Sequence, residues 1–143
     1  MDRCFDTEAV MKEIRTQITN RHSVYDELTF IAPYHNKMIS KCLERDSLVI
    51  FGAGVYGGMI IEDLHMHGCN SICCICDNRQ AGKKIHGYEI LTPEDAFAKY
   101  PGATFVLTPR WYENELLQQL TGIGVDISNI LIISMLETGL DII

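Results

Sequence analysis

The run Gly52-Ala53-Gly54-Val55-Tyr56-Gly57 sets three glycines in a G-x-G-x-x-G spacing directly after the apolar stretch Leu48-Val49-Ile50-Phe51. Each glycine has its own reason to be there. Gly52 permits a tight reversal, Gly54 lets backbone approach a pyrophosphate, and Gly57 lets the following helix press on the strand before it. The unpaired N–H groups at the start of that helix, with the positive end of its dipole, offer an anion site. The spacing alone is a weak signal, and its position between an apolar strand and a helical pattern strengthens it. An acid about 20 residues further on, at the tip of the next strand, completes the pattern by accepting hydrogen bonds from a ribose diol. Asp77 stands there, directly after Ser71-Ile72-Cys73-Cys74-Ile75-Cys76.

Around this core lie further candidate contacts: Ala53 and Tyr56 within the glycine turn, Asn78 and Arg79 after the acid, and Thr108, Pro109 and Arg110 after a later strand. Arg79 could accept a 2′-phosphate, which admits NADP, although a solvated loop arginine is the simpler reading. Asp77 itself repels a 2′-phosphate, so NAD, or a nucleotide sugar with a free ribose, is preferred. In Thr108-Pro109-Arg110-Trp111-Tyr112, Arg110 suits a phosphate or carboxylate, and Trp111 or Tyr112 could stack on a ring or simply seat the next helix.

Catalytic constellations are thin. His65 and His67 are two apart on one helix and do not share a face, so they do not make an i, i+4 metal pair. Glu94 and Asp95 are explained by helix capping. His86 and Tyr112 are the candidates for proton transfer, no catalytic residue is assigned, and no metal site is expected. Six cysteines, Cys4, Cys42, Cys69, Cys73, Cys74 and Cys76, do not form the two separate Cys-x-x-Cys motifs of a structural zinc site. Cys73 and Cys74 are neighbours on a strand and point to opposite faces, so buried thiols acting as small hydrophobes are expected.

The elements that position these residues follow from periodicity. Residues 1–46 read as a helical extension, with Val10, Met11, Ile14 and Ile18, then Val24, Leu28 and Ile31, then Tyr34, Met38, Cys42 and Leu43 at helical spacing. Residues 47–143 alternate strands and helices, which means a parallel sheet covered on both faces. Strands are expected at 48–51, 71–76, 88–91, 104–107 and 129–133. Helices are expected at 55–67, after Thr92-Pro93-Glu94-Asp95, and at 111–121. Gly68 is a plausible helix terminus, and Gly82 to Gly87 reads as a polar turn.

The chain has 143 residues and a formal net charge of −7, with 47% hydrophobic and 22% charged residues, which describes a globular chain of one domain plus an appendage. Residues 1–46 carry 8 acids and 7 bases, so nearly all of the net charge lies on the sheet region. An acidic chain has no electrostatic footprint for nucleic acid and no polybasic handle for a membrane. No apolar run approaches the ~20 residues of a bilayer span, and the opening Met-Asp-Arg-Cys-Phe-Asp has no signal-peptide apolar core. A cytoplasmic location is therefore expected.

The segment from Leu48 to Ile133 resembles the Rossmann-like domain of polysaccharide-biosynthesis and sugar-nucleotide-processing proteins. The resemblance rests on VIFGAGVYGG, the strand ending in Asp77-Asn78, GKKIHGYEILTPED, FVLTP and LLQQLTGIGV. The short third strand and the proline after the fourth also look like CoA-binding Rossmann relatives. The resemblance implies a sheet order of 3-2-1-4-5 with residues 88–91 as the short third strand, and ligand contacts at Gly52, Gly54, Gly57 and Asp77. Such domains often accompany a separate catalytic module, which this chain does not carry. Three readings follow. The first is a nucleotide-binding domain that belongs to or partners a sugar-nucleotide enzyme. The second is a small NAD(P)-dependent oxidoreductase or epimerase-like enzyme. The third is a regulatory module with a relic glycine turn and a homodimer seam in the N-terminal helices.

Overall fold

The computed structural model describes residues 34–109 and 112–132. The expectations for the helices before residue 34, for Arg110 and Trp111, and for the chain beyond residue 132 lie outside the described residues, as does the part of the proposed homodimer seam before residue 34.

Helix α1 (His35–Leu43) leads into β1 (Leu48–Phe51), α2 (Val55–Met66), β2 (Ile72–Cys76), β3 (Lys84–Ile85), β4 (Tyr88–Leu91), α3 (Pro93–Lys99), β5 (Thr104–Leu107), α4 (Glu113–Ile123) and β6 (Ile130–Leu131). The sheet order is β3-β4-β2-β1-β5-β6. β1 pairs in parallel with β2 and with β5, β2 with β4, and β5 with β6. The chain thus winds outward from β1 through β2 to β4, then crosses back to β5 and β6. Strand order reverses beside β1, which in an open sheet of this kind opens a crevice at the carboxyl ends of the strands.

The sheet has six strands, and the expected order 3-2-1-4-5 is corrected by an added edge strand. β3 pairs antiparallel with β4, Lys84 opposite Glu89 and Ile85 opposite Tyr88. Two residues, one of them charged, carry no alternation to reveal a strand, so the segment reads as turn. The hairpin closes through His86 and Gly87, whose φ values of 53° and 84° are both positive. That is the signature of a type I′ turn, which usually announces itself with Asn-Gly or Asp-Gly.

β1 and β5 are buried along their whole length, as strands covered on both faces must be. Val49 and Phe51 share one cluster with Cys74, Cys76, Phe105 and Leu107 of the sheet and with Ala96 of α3 and Leu116 and Leu120 of α4. Leu48 and Ile50 alternate to the opposite face. There α2 covers them with Ile60, Ile61 and Leu64. α1 packs on α2 and buries Met38, Ile39 and Cys42, whereas Leu43, at its last position, is exposed.

Local chemistry fixes the element ends. At the end of α2 the Gly68 N–H donates to the His65 carbonyl and the Cys69 N–H to the Leu64 carbonyl, with Gly68 at φ +78°. This is a Schellman cap, and glycine supplies its left-handed residue at no steric cost. At the start of α3 the Thr92 hydroxyl accepts from the Asp95 N–H at 3.1 Å, with Pro93 in the first turn. α4 starts later than the expected residue 111, at Glu113. β6 is shorter than the expected 129–133, because Asn129 belongs to a 3-10 turn over Ile127–Asn129 that the Asp126 side chain caps.

The described cysteines are free thiols. Burial pushes the Cys42 and Cys74 thiols up to about 12 and holds the Cys76 thiol well above its ordinary value. They fill the interior as small hydrophobes. No helix among the described residues is long and apolar enough to cross a membrane.

Candidate functional site

The three glycines of the turn meet different surroundings. Gly52 has φ +118°, a left-handed conformation, and a Cβ there would run into the Thr108 hydroxyl oxygen and meet Pro109 at 3.1 Å. A Cβ on Gly57 would run into the Gly52 carbonyl oxygen, so α2 presses on the turn that precedes it. Gly54 differs: a Cβ there would meet nothing within 4 Å among the described residues. Two of the glycines are therefore demanded by the protein's own packing. The third borders open space.

Gly54 is also the N-cap of the 12-residue helix α2, and no side chain caps that end or places an acid in its first turn. The first amides of a helix have no acceptor within it. The head of α2 therefore presents N–H donors and a positive dipole end beside a residue that has no side chain.

Asp77 sits across from this turn, immediately after β2. Its Oδ2 accepts from the Ala53 N–H at 2.9 Å. Its Oδ1 accepts from the N–H groups of Arg79 at 2.8 Å and Gln80 at 3.1 Å. A carboxylate has about four lone-pair positions. With two bonds on Oδ1 and one on Oδ2, a single position on Oδ2 is left for an incoming donor. The acid therefore does structural work first, tying the turn after β1 to the loop after β2.

Between these loops and α4 lies a cleft of about 500 Å³. Of the residues expected from sequence, Gly52, Ala53, Gly54, Asp77, Asn78, Arg79 and Pro109 line it. Tyr112 lines it too, half-exposed at the N-terminus of α4. Phe51, Gln80, Glu115 and Leu116 complete the wall and were not expected. Glu115 and Leu116 sit in the opening turns of α4, where an acid reads in sequence as ordinary dipole complementation.

Several expected residues serve elsewhere. The Thr108 hydroxyl donates to the Phe51 carbonyl at 2.9 Å and is buried, so Thr108 anchors the end of β5 to the end of β1. Gly57 is buried against the turn. Tyr56 points away from the cleft toward α1, where its hydroxyl lies 3.3 Å from His35 Nδ1. His35 Nε2 in turn meets Asp63 Oδ2 at 2.9 Å. Burial raises the Tyr56 phenol above its ordinary value. His86 packs over Gly58 of α2, its Nε2 lying 3.0 Å from where a Cβ would stand, and it does not line the cleft. His65 is likewise occupied, 2.7 Å from the Tyr88 hydroxyl.

One contact spans the rim. The Asn78 amide donates to Gln119 Oε1 at 3.0 Å, and the Gln119 amide donates back to Asn78 Oδ1 at 2.9 Å. The pair joins the loop after β2 to α4 on either side of the crevice.

No family model matches the chain, and no curated protein matches it in sequence. Among solved structures the chain is similar to a UDP-D-quinovosamine 4-dehydrogenase from Vibrio fischeri, at 18% identity and a TM-score of 0.48 over 68% of this chain and 88% of that one. It is also similar to RSP, a Rex-family repressor, at 22% identity and a TM-score of 0.47 over 66% of this chain and 49% of that one.

Proposed function

We propose that the cleft binds a nucleotide, NAD or a nucleotide sugar, with its diphosphate at the head of α2 and one ribose hydroxyl on Asp77. The contrast among the glycines carries this reading. Gly52 and Gly57 are explained by internal contacts, whereas Gly54 leaves room for a ligand at an uncapped helix start. Asp77 Oδ2, which keeps one acceptor position, is held beside the same turn by the Ala53 N–H. A volume of about 500 Å³ falls within the usual range of ligand pockets.

NAD is favoured over NADP. Among the described lining residues the charges are Asp77, Glu115 and Arg79, and the two carboxylates outweigh the one guanidinium against a 2′-phosphate. The finer parts of the proposal have separate grounds: a role within or beside a sugar-nucleotide or surface-polysaccharide enzyme rests on the sequence resemblance, a cytoplasmic location on the composition, and dimerisation through the N-terminal helices on their apolar stripes.

Thermal unfolding in millimolar NAD(H), NADP(H), UDP-sugars and CDP-sugars tests the reading. A ligand at ten times its Kd adds about 1.4 kcal/mol to the native state, a readily measured rise in Tm. A midpoint unmoved by all of these nucleotides would overturn the proposal.

A further inference from the structure

The reciprocal amide pair at the rim calls for an explanation that packing does not provide. Asn78 and Gln119 are 41 residues apart in sequence, belong to opposite lips of the crevice, and meet at the surface. Exposed amides are well solvated and gain little by pairing with each other. Asn78 also lines the cleft, one residue beyond the acid that would hold the ribose, whereas Gln119 does not line it.

The hydrogen-bond pattern is specific. Each amide offers one N–H and one carbonyl oxygen side by side, and the partner amide answers with the complement. A nucleobase edge with an adjacent donor and acceptor offers the same complement: N6–H beside N7 or N1 in adenine, N3–H beside O4 in uracil. Asn and Gln side chains take adenine in this two-bond manner. A base could therefore replace Gln119 on Asn78 with no change in the number of hydrogen bonds. Gln119, half-buried on α4 with its amide at the surface, would turn to water and leave no buried group unsatisfied.

We propose that Asn78 reads the donor–acceptor edge of the ligand's nucleobase and that Gln119 occupies the base's position until the ligand arrives. This inference rests on the reading of the cleft as a nucleotide site. The two residues have unequal roles for a structural reason. The Arg79 and Gln80 N–H groups bond to Asp77 Oδ1 at 2.8 Å and 3.1 Å, which fixes the backbone around Asn78. Gln119 has the longer side chain and sits on a helix outside the cleft lining, which suits it to swing away.

Isothermal titration of the full chain with ADP, UDP and ribose 5-phosphate tests the assignment. Asn78→Ala should weaken the preferred nucleoside diphosphate by roughly tenfold, the loss of about two hydrogen bonds. Gln119→Ala should tighten it by roughly threefold or more, because the competing amide is gone. Ribose 5-phosphate, which has no base, should bind all three proteins alike. Methylation of the base edge, as in N6,N6-dimethyl-ADP or N3-methyl-UDP, should cost the unsubstituted protein about as much as Asn78→Ala does and cost the Asn78→Ala protein little. If Gln119→Ala weakens binding as much as Asn78→Ala, the pair is a strap and the assignment fails. Nucleotide binding that neither substitution changes also overturns it and leaves the nucleotide reading intact. No binding by any of the three ligands removes both.

Discussion

The Asp77 carboxylate and the Ala53 N–H are 2.9 Å apart, so the acid at the tip of β2 and the glycine turn after β1 form one hydrogen-bonded unit. The same carboxylate closes its own loop through Arg79 and Gln80. Any ligand that reaches Asp77 therefore meets a group already held in place, which lowers the entropy cost of binding.

Asp77→Asn separates the two structural roles of this acid. An asparagine can keep its oxygen toward the N–H groups of Arg79 and Gln80, as in an Asx turn. Its NH2 then faces the Ala53 N–H, donor against donor. The substitution should cost about 1–2 kcal/mol in urea unfolding, from the lost charge-assisted bond and the opposed donors. It should also weaken nucleotide binding. A variant as stable as the parent would mean that the link to Ala53 contributes nothing.

The glycines make a sharper comparison. Gly52→Ala and Gly57→Ala should each cost roughly 2–4 kcal/mol, because a Cβ at either position overlaps Thr108 or the Gly52 carbonyl. Gly54→Ala places its methyl in open space, and at φ −90° the residue is unstrained. It should cost only about 0.5–1 kcal/mol, the N-cap difference between Gly and Ala. Its larger effect belongs to the ligand, whose diphosphate would meet the new methyl, so nucleotide affinity should fall while the unfolding midpoint drops far less than in the other two variants. Equal destabilisation by all three substitutions would contradict the assignment of Gly54 to the ligand.

Much of this was legible in the sequence because its signals are local. A left-handed φ at Gly52, a capping hydroxyl at Thr92 and an acid at a strand tip each leave a mark within a few residues. The Lys84–Ile85 edge strand left none, being too short to alternate and closed by His86-Gly87 in place of the usual Asn-Gly. The direction of Tyr56 was equally hidden. A residue between the glycines can face a ligand or a neighbouring helix, and only the position of His35 decides it. Glu115 and the Gln119–Asn78 contact escaped for a third reason: on the polar face of α4, a residue that meets the cleft looks the same as one that meets water.

The thiols carry a pH prediction. The buried Cys42 and Cys74 thiols are raised from an ordinary value of 9.0 to about 12, because burial disfavours the thiolate. In the unfolded chain they ionise near pH 9, and in the folded chain they hold their protons well beyond it. The folded state thus binds more protons between pH 9 and pH 12, and stability falls with rising pH across that window. Each group contributes a slope of up to about 1.4 kcal/mol per pH unit. Below pH 9 the contribution is complete. Urea midpoints from pH 8 to pH 11 should decline, and Cys74→Ala should reduce the slope while lowering the midpoint at pH 8. In the native state at pH 8, Cys69 and Cys73, which are only partly buried, should take up a thiol reagent before Cys42, Cys74 and Cys76. Equal labelling of all five would rule out the buried assignment.

The last prediction concerns Arg45, between α1 and β1. Its Nη1 donates to the Thr104 hydroxyl at 2.7 Å, while its Nε and Nη2 are buried with no hydrogen-bond partner among the described residues. A buried guanidinium satisfied through one nitrogen carries a desolvation cost that a single bond to a neutral hydroxyl does not offset. Removing one partner alone should be harmful. Thr104→Val leaves the guanidinium with no partner among the described residues and should destabilise by about 1–3 kcal/mol. Replacing both partners with apolar groups of similar shape removes the unpaired donors together with the bond. Arg45→Met combined with Thr104→Val should therefore recover most or all of that loss and could exceed the parent. A double-mutant cycle in urea measures the coupling directly. The decisive result is its sign. Additive losses would mean that the guanidinium is satisfied in solution and that its burial costs the fold nothing.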